Sequence, residues 1–185
     1  MDLREGGRGR GVAAVIEGFF GAMWFGWAQS SSPGWLVPVL IVGSVLSVLL
    51  LVGGVVLAWR SPAGSSPMAE PRVRRRYGIT VGIEFGLAFV GAALLGALGG
   101  EHYIAAWIAG VVGVHFVPLG HFFGERLLQA SGALITVVAL VATVVAASGG
   151  TDTSTVAGTG TGLLLLLTGV LTLAGVRLSP PRARG

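Results

Sequence analysis

The chain contains no cysteine, no lysine and no asparagine, and only 11% of its 185 residues are charged. Without cysteine there is no disulfide, no thiolate metal site and no cysteine nucleophile. Without lysine, all 12 basic side chains are arginine. The shortage of charge is the most restrictive of these features, because a soluble domain carries about 25% charged residues. With 53% hydrophobic residues and a mean hydropathy of +0.83, the chain is neither an ordinary water-soluble globule, nor a disordered tail, nor a fibrous repeat. It reads as an integral membrane protein whose apolar surface is covered by lipid. The bias toward Ala, Val, Gly and Arg suits a GC-rich bacterial genome.

What is present is a series of apolar stretches. About 20 apolar residues cross the ~30 Å hydrocarbon core, and six stretches qualify, at about 11–29, 35–59, 78–99, 103–123, 127–148 and 156–177. They use most of the chain, so residues 1–185 are expected to form a single all-α transmembrane domain, a six-helix bundle. The loop 60–77, rich in Pro, Ser and Gly, is expected to be flexible.

Arginine placement sets the orientation. Arg4, Arg8 and Arg10 precede span 1, and Arg60, Arg72, Arg74, Arg75 and Arg76 lie between spans 2 and 3. Arg126 lies between spans 4 and 5, and Arg177, Arg182 and Arg184 follow span 6. All fall on one side, which by the positive-inside rule is cytoplasmic. The expectation is a protein of the inner (plasma) membrane with both termini inside. Trp27, Trp35 and Tyr103 would then anchor the outer interface, and Trp59 and Tyr77 the inner one. The basic N-terminus, the apolar run and Gly26-Trp27-Ala28 also resemble a signal peptide. Glu17, Phe19-Phe20 and Trp24 inside the run argue for a retained span. The pI near 11 is the topology signal itself and implies no nucleic-acid partner. Arg72, Arg74, Arg75 and Arg76 are candidates for contact with anionic lipid, at about 1 kcal/mol per Arg near the surface.

Glycine is abundant, with 32 residues, and small stripes let transmembrane helices approach closely. Gly78, Gly82 and Gly86 form a doubled GxxxG in span 3, and Ala106, Gly110 and Gly113 share a stripe in span 4. Glu84 and His115 lie about 200° around the wheel from Gly82 and Gly113 respectively. Two faces that avoid lipid would make helices 3 and 4 the centre of the bundle. Ile16-Glu17-Gly18-Phe19 and Ile83-Glu84-Phe85-Gly86 are weakly alike at equivalent depth, consistent with three repeated hairpins. A homo-oligomer is compatible with these packing faces.

Three ionisable residues fall inside spans, namely Glu17, Glu84 and His115. At 1.5 Å per residue each lies roughly 9–12 Å in from the arginine-bearing end of its span. Such residues are costly in lipid and mark solute or proton pathways, or helix contacts. A Glu–His pair sharing one proton would change charge near neutral pH. The structural alternative is that each residue satisfies a neighbouring helix. Pro118 supplies such a need, because it frees the carbonyl of Val114 and is expected to kink helix 4 beside His115. His121 and Glu125, spaced i,i+4, are expected to pair at the inner interface.

Catalytic readings are weaker. Ala130-Ser131-Gly132-Ala133 is similar to the serine environment of rhomboid proteases, but no histidine follows residue 121 to activate Ser131. The three histidines have no metal-ligand spacing, so no metal or cofactor is expected. Gly158-Thr159-Gly160-Thr161-Gly162 lacks the Lys-Ser/Thr ending of a phosphate loop. Glu101, His102 and Asp152 read as loop polarity. The stretch Gly113-Val114-His115-Phe116-Val117-Pro118-Leu119, with Phe122-Phe123 after it, resembles a G-x-H-F-x-P-L pattern of uncharacterised bacterial multi-pass membrane proteins. There the motif closes one helix before a short basic turn, and the resemblance implies no activity or ligand. Taken together, the sequence suggests a small transporter or channel-like protein, with the bilayer and protons or a small solute as partners. The alternative is a structural, accessory or sensory membrane protein, and an enzyme comes third.

Overall fold

The computed structural model describes residues 7–62 and 71–176. These form six α-helices, α1 Gly7–Gln29, α2 Val37–Arg60, α3 Pro71–Ala97, α4 Ile104–Phe123, α5 Arg126–Ala147 and α6 Thr153–Leu173. A 3-10 turn, Glu101–Tyr103, leads into α4. All six helices are long and apolar enough to cross a membrane, so the chain is an all-helical, multi-pass bundle. The described arginines Arg8, Arg10, Arg60, Arg72, Arg74, Arg75, Arg76 and Arg126 lie at or near helix ends that share one end of the bundle, called the basic end below. Arg4, Arg177, Arg182 and Arg184 lie outside the described residues.

Local chemistry moves three boundaries from where hydropathy put them. α3 starts at Pro71, so Arg72 to Arg76 occupy its first turns rather than a flexible loop. Proline is pre-organised for the first helical position and arginine is a good helix former. α6 starts at Thr153, three residues before the expected span, because the Asp152 carboxylate accepts a hydrogen bond from the Ser154 N–H at 2.8 Å. It stops early because Gly175, at φ 79°, turns the chain out of the helix.

The bundle is built on α1, packed between α2 and α6. Small residues let the backbones meet. A Cβ on Gly11 would lie 2.6 Å from the Gly54 carbonyl, and one on Gly18 would lie 2.6 Å from that of Ser47. On the other side, a Cβ on Gly158 would lie 2.8 Å from the Trp24 carbonyl. The low-complexity glycines opening span 6 therefore serve as a packing surface. α4 pairs with α5 through Gly113 and Gly132, each too close to the opposing backbone for a side chain. α5 closes onto α6, where the Ser131 and Thr168 hydroxyls bond at 2.5 Å.

α3 departs from expectation. It packs on α4 and the preceding turn, and no residue of 74–97 is buried. The centre belongs to α1 and α6, with α4 on the second side and α3 at the edge. The doubled GxxxG explains the error. Among the described residues, Gly78, Gly82 and Gly86 have no neighbouring atom within reach of an added Cβ, so that stripe faces away from the other described helices. Ala106, Gly110 and Gly113 do face a helix: Ala106 is buried, Gly110 is near Ala139 and Gly113 meets Thr136 on α5. The three hairpins are all antiparallel but unequal, tight between α1 and α2 and sparse between α3 and α4.

Candidate functional site

α3 and α4 meet at three places along their length. Near the basic end the Tyr77 and Phe123 rings lie 6.3 Å apart. At the far end Gly91 receives the Trp107 indole, whose N–H donates to the Leu87 carbonyl at 3.1 Å. Between them, Nε2 of His115 lies 3.1 Å from Oε2 of Glu84. The antiparallel pairing produces this meeting, because both residues lie at a similar depth from the basic end. Glu84 and His115 are the closest carboxylate–imidazole contact among the described residues.

Beside this pair the helices separate and leave a cavity of about 610 Å³, walled by α3, α4 and α5. That volume falls within the 300–1,000 Å³ of small-molecule sites. It runs from Thr80 and Pro118 at the basic end to Leu95, Tyr103 and Thr143 at the other. Its walls are mostly apolar, with Ile83, Leu87, Val111, Val114 and Leu140 prominent. The three threonine hydroxyls among them are already used. Thr80 donates to the Arg76 carbonyl, Thr136 to Gly132 and Thr143 to Ala139, each at 2.9 Å. Glu84 and His115 are therefore the only acid and the only imidazole presented to the cavity among the described residues. With no proton on the pair its net charge is −1, and with one proton shared between the two side chains it is 0.

Glu17 is elsewhere. It is buried between α1 and α6, its carboxyl hydrogen-bonded by Thr172, with Leu50 of α2 and Gly169 of α6 close by. Its Oε2 has no hydrogen-bond partner. Equal depth placed it with the other two in the sequence, but α1 packs on α2 and α6 rather than on α3. The expected three-residue centre is thus a pair and a separate buried carboxyl.

The remaining candidates fall into simpler roles. Pro118 sits within α4 without interrupting it and lines the cavity. His121 and Glu125 form no ion pair, because Gly124 ends α4 in the left-handed region at φ 69° and Glu125 already leads α5. Helical i,i+4 spacing does not apply across that break. Ser131 is committed to Thr168. Among the described residues no group of His, Asp and Glu could hold a metal. Asp152 is the cap of α6 rather than loose loop polarity, and the His102 carbonyl accepts from the Thr153 hydroxyl. Arg72, Arg74, Arg75 and Arg76 are exposed at the start of α3. Trp107 and Gly91 were not among the residues singled out from the sequence. The spacing Tyr103, Trp107, Gly110, Val114, Pro118 puts the cavity wall on one face of α4, and would have pointed to Trp107.

The chain matches no family model, no curated protein and no solved structure.

Proposed function

We propose that this is a small proton-linked transporter of the bacterial inner membrane, with the basic end and both termini cytoplasmic. The observation that carries the reading is the 3.1 Å contact of Glu84 with His115 on the wall of an otherwise apolar cavity. Ionisable side chains in a span are costly and mark ion and solute pathways. Here two helices each contribute one, at the same depth, beside room for a solute. A pair that holds or releases one proton changes the charge of the cavity, and with it the solute the cavity accepts.

A pH-gradient assay in proteoliposomes tests this. With small solutes, lipophilic cations among them, supplied one at a time against the gradient, wild-type protein should dissipate it for at least one of them, whereas Glu84→Gln and His115→Ala should fall to the rate of protein-free liposomes. Equal rates for all three proteins would refute the transport reading. A second reading has its own support: among the described residues the pair is the ion-pair contact between α3 and α4, beside the Tyr77–Phe123 ring contact and the Trp107–Leu87 hydrogen bond. An accessory protein using the contact purely as a latch would lose thermal stability in both variants and show no flux in the wild type.

A further inference from the structure

We infer that the cavity takes a lipophilic organic cation, such as a protonated amine or an onium ion with an apolar body, which enters from the bilayer between α3 and α5 and exchanges with the proton held by Glu84 and His115. The inference rests on reading this pair as a proton-holding solute site. Four observations lead to it.

The first is access. α3 packs on α4, and the wall residues Ile83, Leu87 and Leu140 remain more than half exposed at the mouth of the cavity. In a bilayer that exposure is to hydrocarbon, so a bilayer-soluble molecule reaches the site sideways.

The second is polarity. Besides Glu84 and His115, the polar side chains on the cavity wall are the Tyr103 phenol at the far end and three threonines whose protons are already spent on their own helices. A sugar or an amino acid, with many hydrogen bonds to satisfy, would leave most of them unmade, at about 1–3 kcal/mol each. An apolar body with one polar centre fits.

The third is the sign of the charge. Among the described residues no arginine lines the cavity, so an anion finds no counter-charge. The groups facing Glu84 are His115 on α4 and, on its own helix, the Tyr77 phenol within electrostatic reach. α5 contributes only Thr136 and Thr143 among polar side chains. The deprotonated pair carries one negative charge, which one monovalent cation neutralises. The protonated pair is already neutral, and a cation added to it would be an unpaired charge in a low-dielectric site. Proton and cation therefore exclude each other, one for one, and the exchange is electroneutral.

The fourth is the aromatic wall. Trp107 and Tyr103 line the cavity, and the Trp107 N–H is already engaged with the Leu87 carbonyl. Indole and phenol faces attract organic cations.

Tetraphenylphosphonium and tetraphenylborate make the test sharp, having the same shape and opposite charge. Equilibrium binding to the purified chain in detergent should be seen for the phosphonium and not for the borate. The phosphonium dissociation constant should fall about tenfold per pH unit over the range in which the pair loses its proton, with one proton released per cation bound. Glu84→Gln should abolish binding, and Leu140→Trp, which fills the cavity and leaves the pair intact, should abolish it too. The second variant keeps the test valid if the first fails to fold. Equal binding of borate, undiminished binding in a folded Glu84→Gln protein, or no phosphonium binding by the wild type would each overturn the inference. Proton flux without cation binding would overturn this substrate class and leave the transport reading standing. Proton-releasing binding without flux would uphold the site and refute transport.

Discussion

Gly91→Ala is the most incisive structural perturbation, because it strikes the far attachment of α3 without touching the ionisable pair. A Cβ built on Gly91 lies 2.1 Å from both Nε1 and Cε2 of Trp107 and 2.5 Å from Cζ2. The indole is rigid and its N–H is engaged at Leu87, so ring or helix must move. Overpacking of this kind costs about 1–3 kcal/mol, and loss of the indole hydrogen bond about 0.5–1.5 kcal/mol. The higher helix propensity of alanine returns roughly 1 kcal/mol. The net cost is therefore roughly 0.5–3.5 kcal/mol, and it should appear as a loosened α3 rather than an unfolded bundle, since α1, α2 and α6 do not depend on α3. The absence of cysteine gives a background-free assay. A single Thr80→Cys reporter in the cavity should react with a maleimide several-fold faster in the Gly91→Ala protein. Gly110→Ala is the control, because its added Cβ meets only Ala139 at 3.7 Å, an ordinary contact. Labelling unchanged by Gly91→Ala but accelerated by Gly110→Ala would refute the account of how α3 is held.

Four further outcomes are expected. Gly113→Ala should lower the unfolding temperature in detergent, with a cost of about 1–3 kcal/mol, because its Cβ would lie 2.6 Å from the Thr136 backbone nitrogen and 2.8 Å from the Gly132 carbonyl. Gly82→Ala, with nothing within reach, should be neutral or stabilising by up to about 1 kcal/mol. Glu17→Gln should keep both the fold and any flux, since its amide can still accept from Thr172 and the residue lies outside the cavity; a flux lost with Glu17→Gln alone would return Glu17 to the site. Asp152→Ala should cost about 1 kcal/mol through loss of the cap on α6, read as faster amide exchange in residues 153–156.

The number of helices and their class were legible because hydrocarbon thickness dictates span length and arginine dictates the ends. Their arrangement was harder to read, because in lipid a helix can be apolar all round wherever it sits. Hydropathy ranks α2 above α1, yet α1 is the more enclosed. The signal that does report packing is the spacing of small residues. Gly7, Gly11, Ala14, Gly18, Gly21 and Ala28 are all buried, and they recur at alternating four- and three-residue steps, broken only by Phe25 where the series would place another. That is the seam of closely packed helices, and it was in plain view in span 1. The doubled GxxxG of span 3 is a stronger local match to the same idea but faces none of the described helices. Close approach requires a partner as well as a stripe. Depth was legible too, since counting residues from each end put Glu84 and His115 level. Counting gives no azimuth and no helix order, so Glu17 was placed with them although its helix lies on the other side of α4 and α6.

The peripheral position of α3 bears directly on how a proton could do work here. Between helices in lipid there is no hydrophobic driving force, since the acyl chains are as apolar as the side chains they would replace. α3 is therefore held by specific contacts: the Tyr77–Phe123 ring contact, the Glu84–His115 pair and the seating of Trp107 on Gly91. Removing one such contact is a larger fractional change for this sparsely packed helix than for α1 with its continuous seams on two sides. A proton that alters the Glu84–His115 contact thus acts on the least constrained element of the bundle, and that element is one wall of the cavity. Coupling between protonation and cavity width would need no long pathway through the protein, because the ionisable side chain and one wall of the cavity belong to the same helix. A spin label at Leu87 and another at Leu140 should report it: their distance should depend on pH in the wild type and lose that dependence in Glu84→Gln. A distance that tracks pH equally in both proteins would place the coupling at some other group.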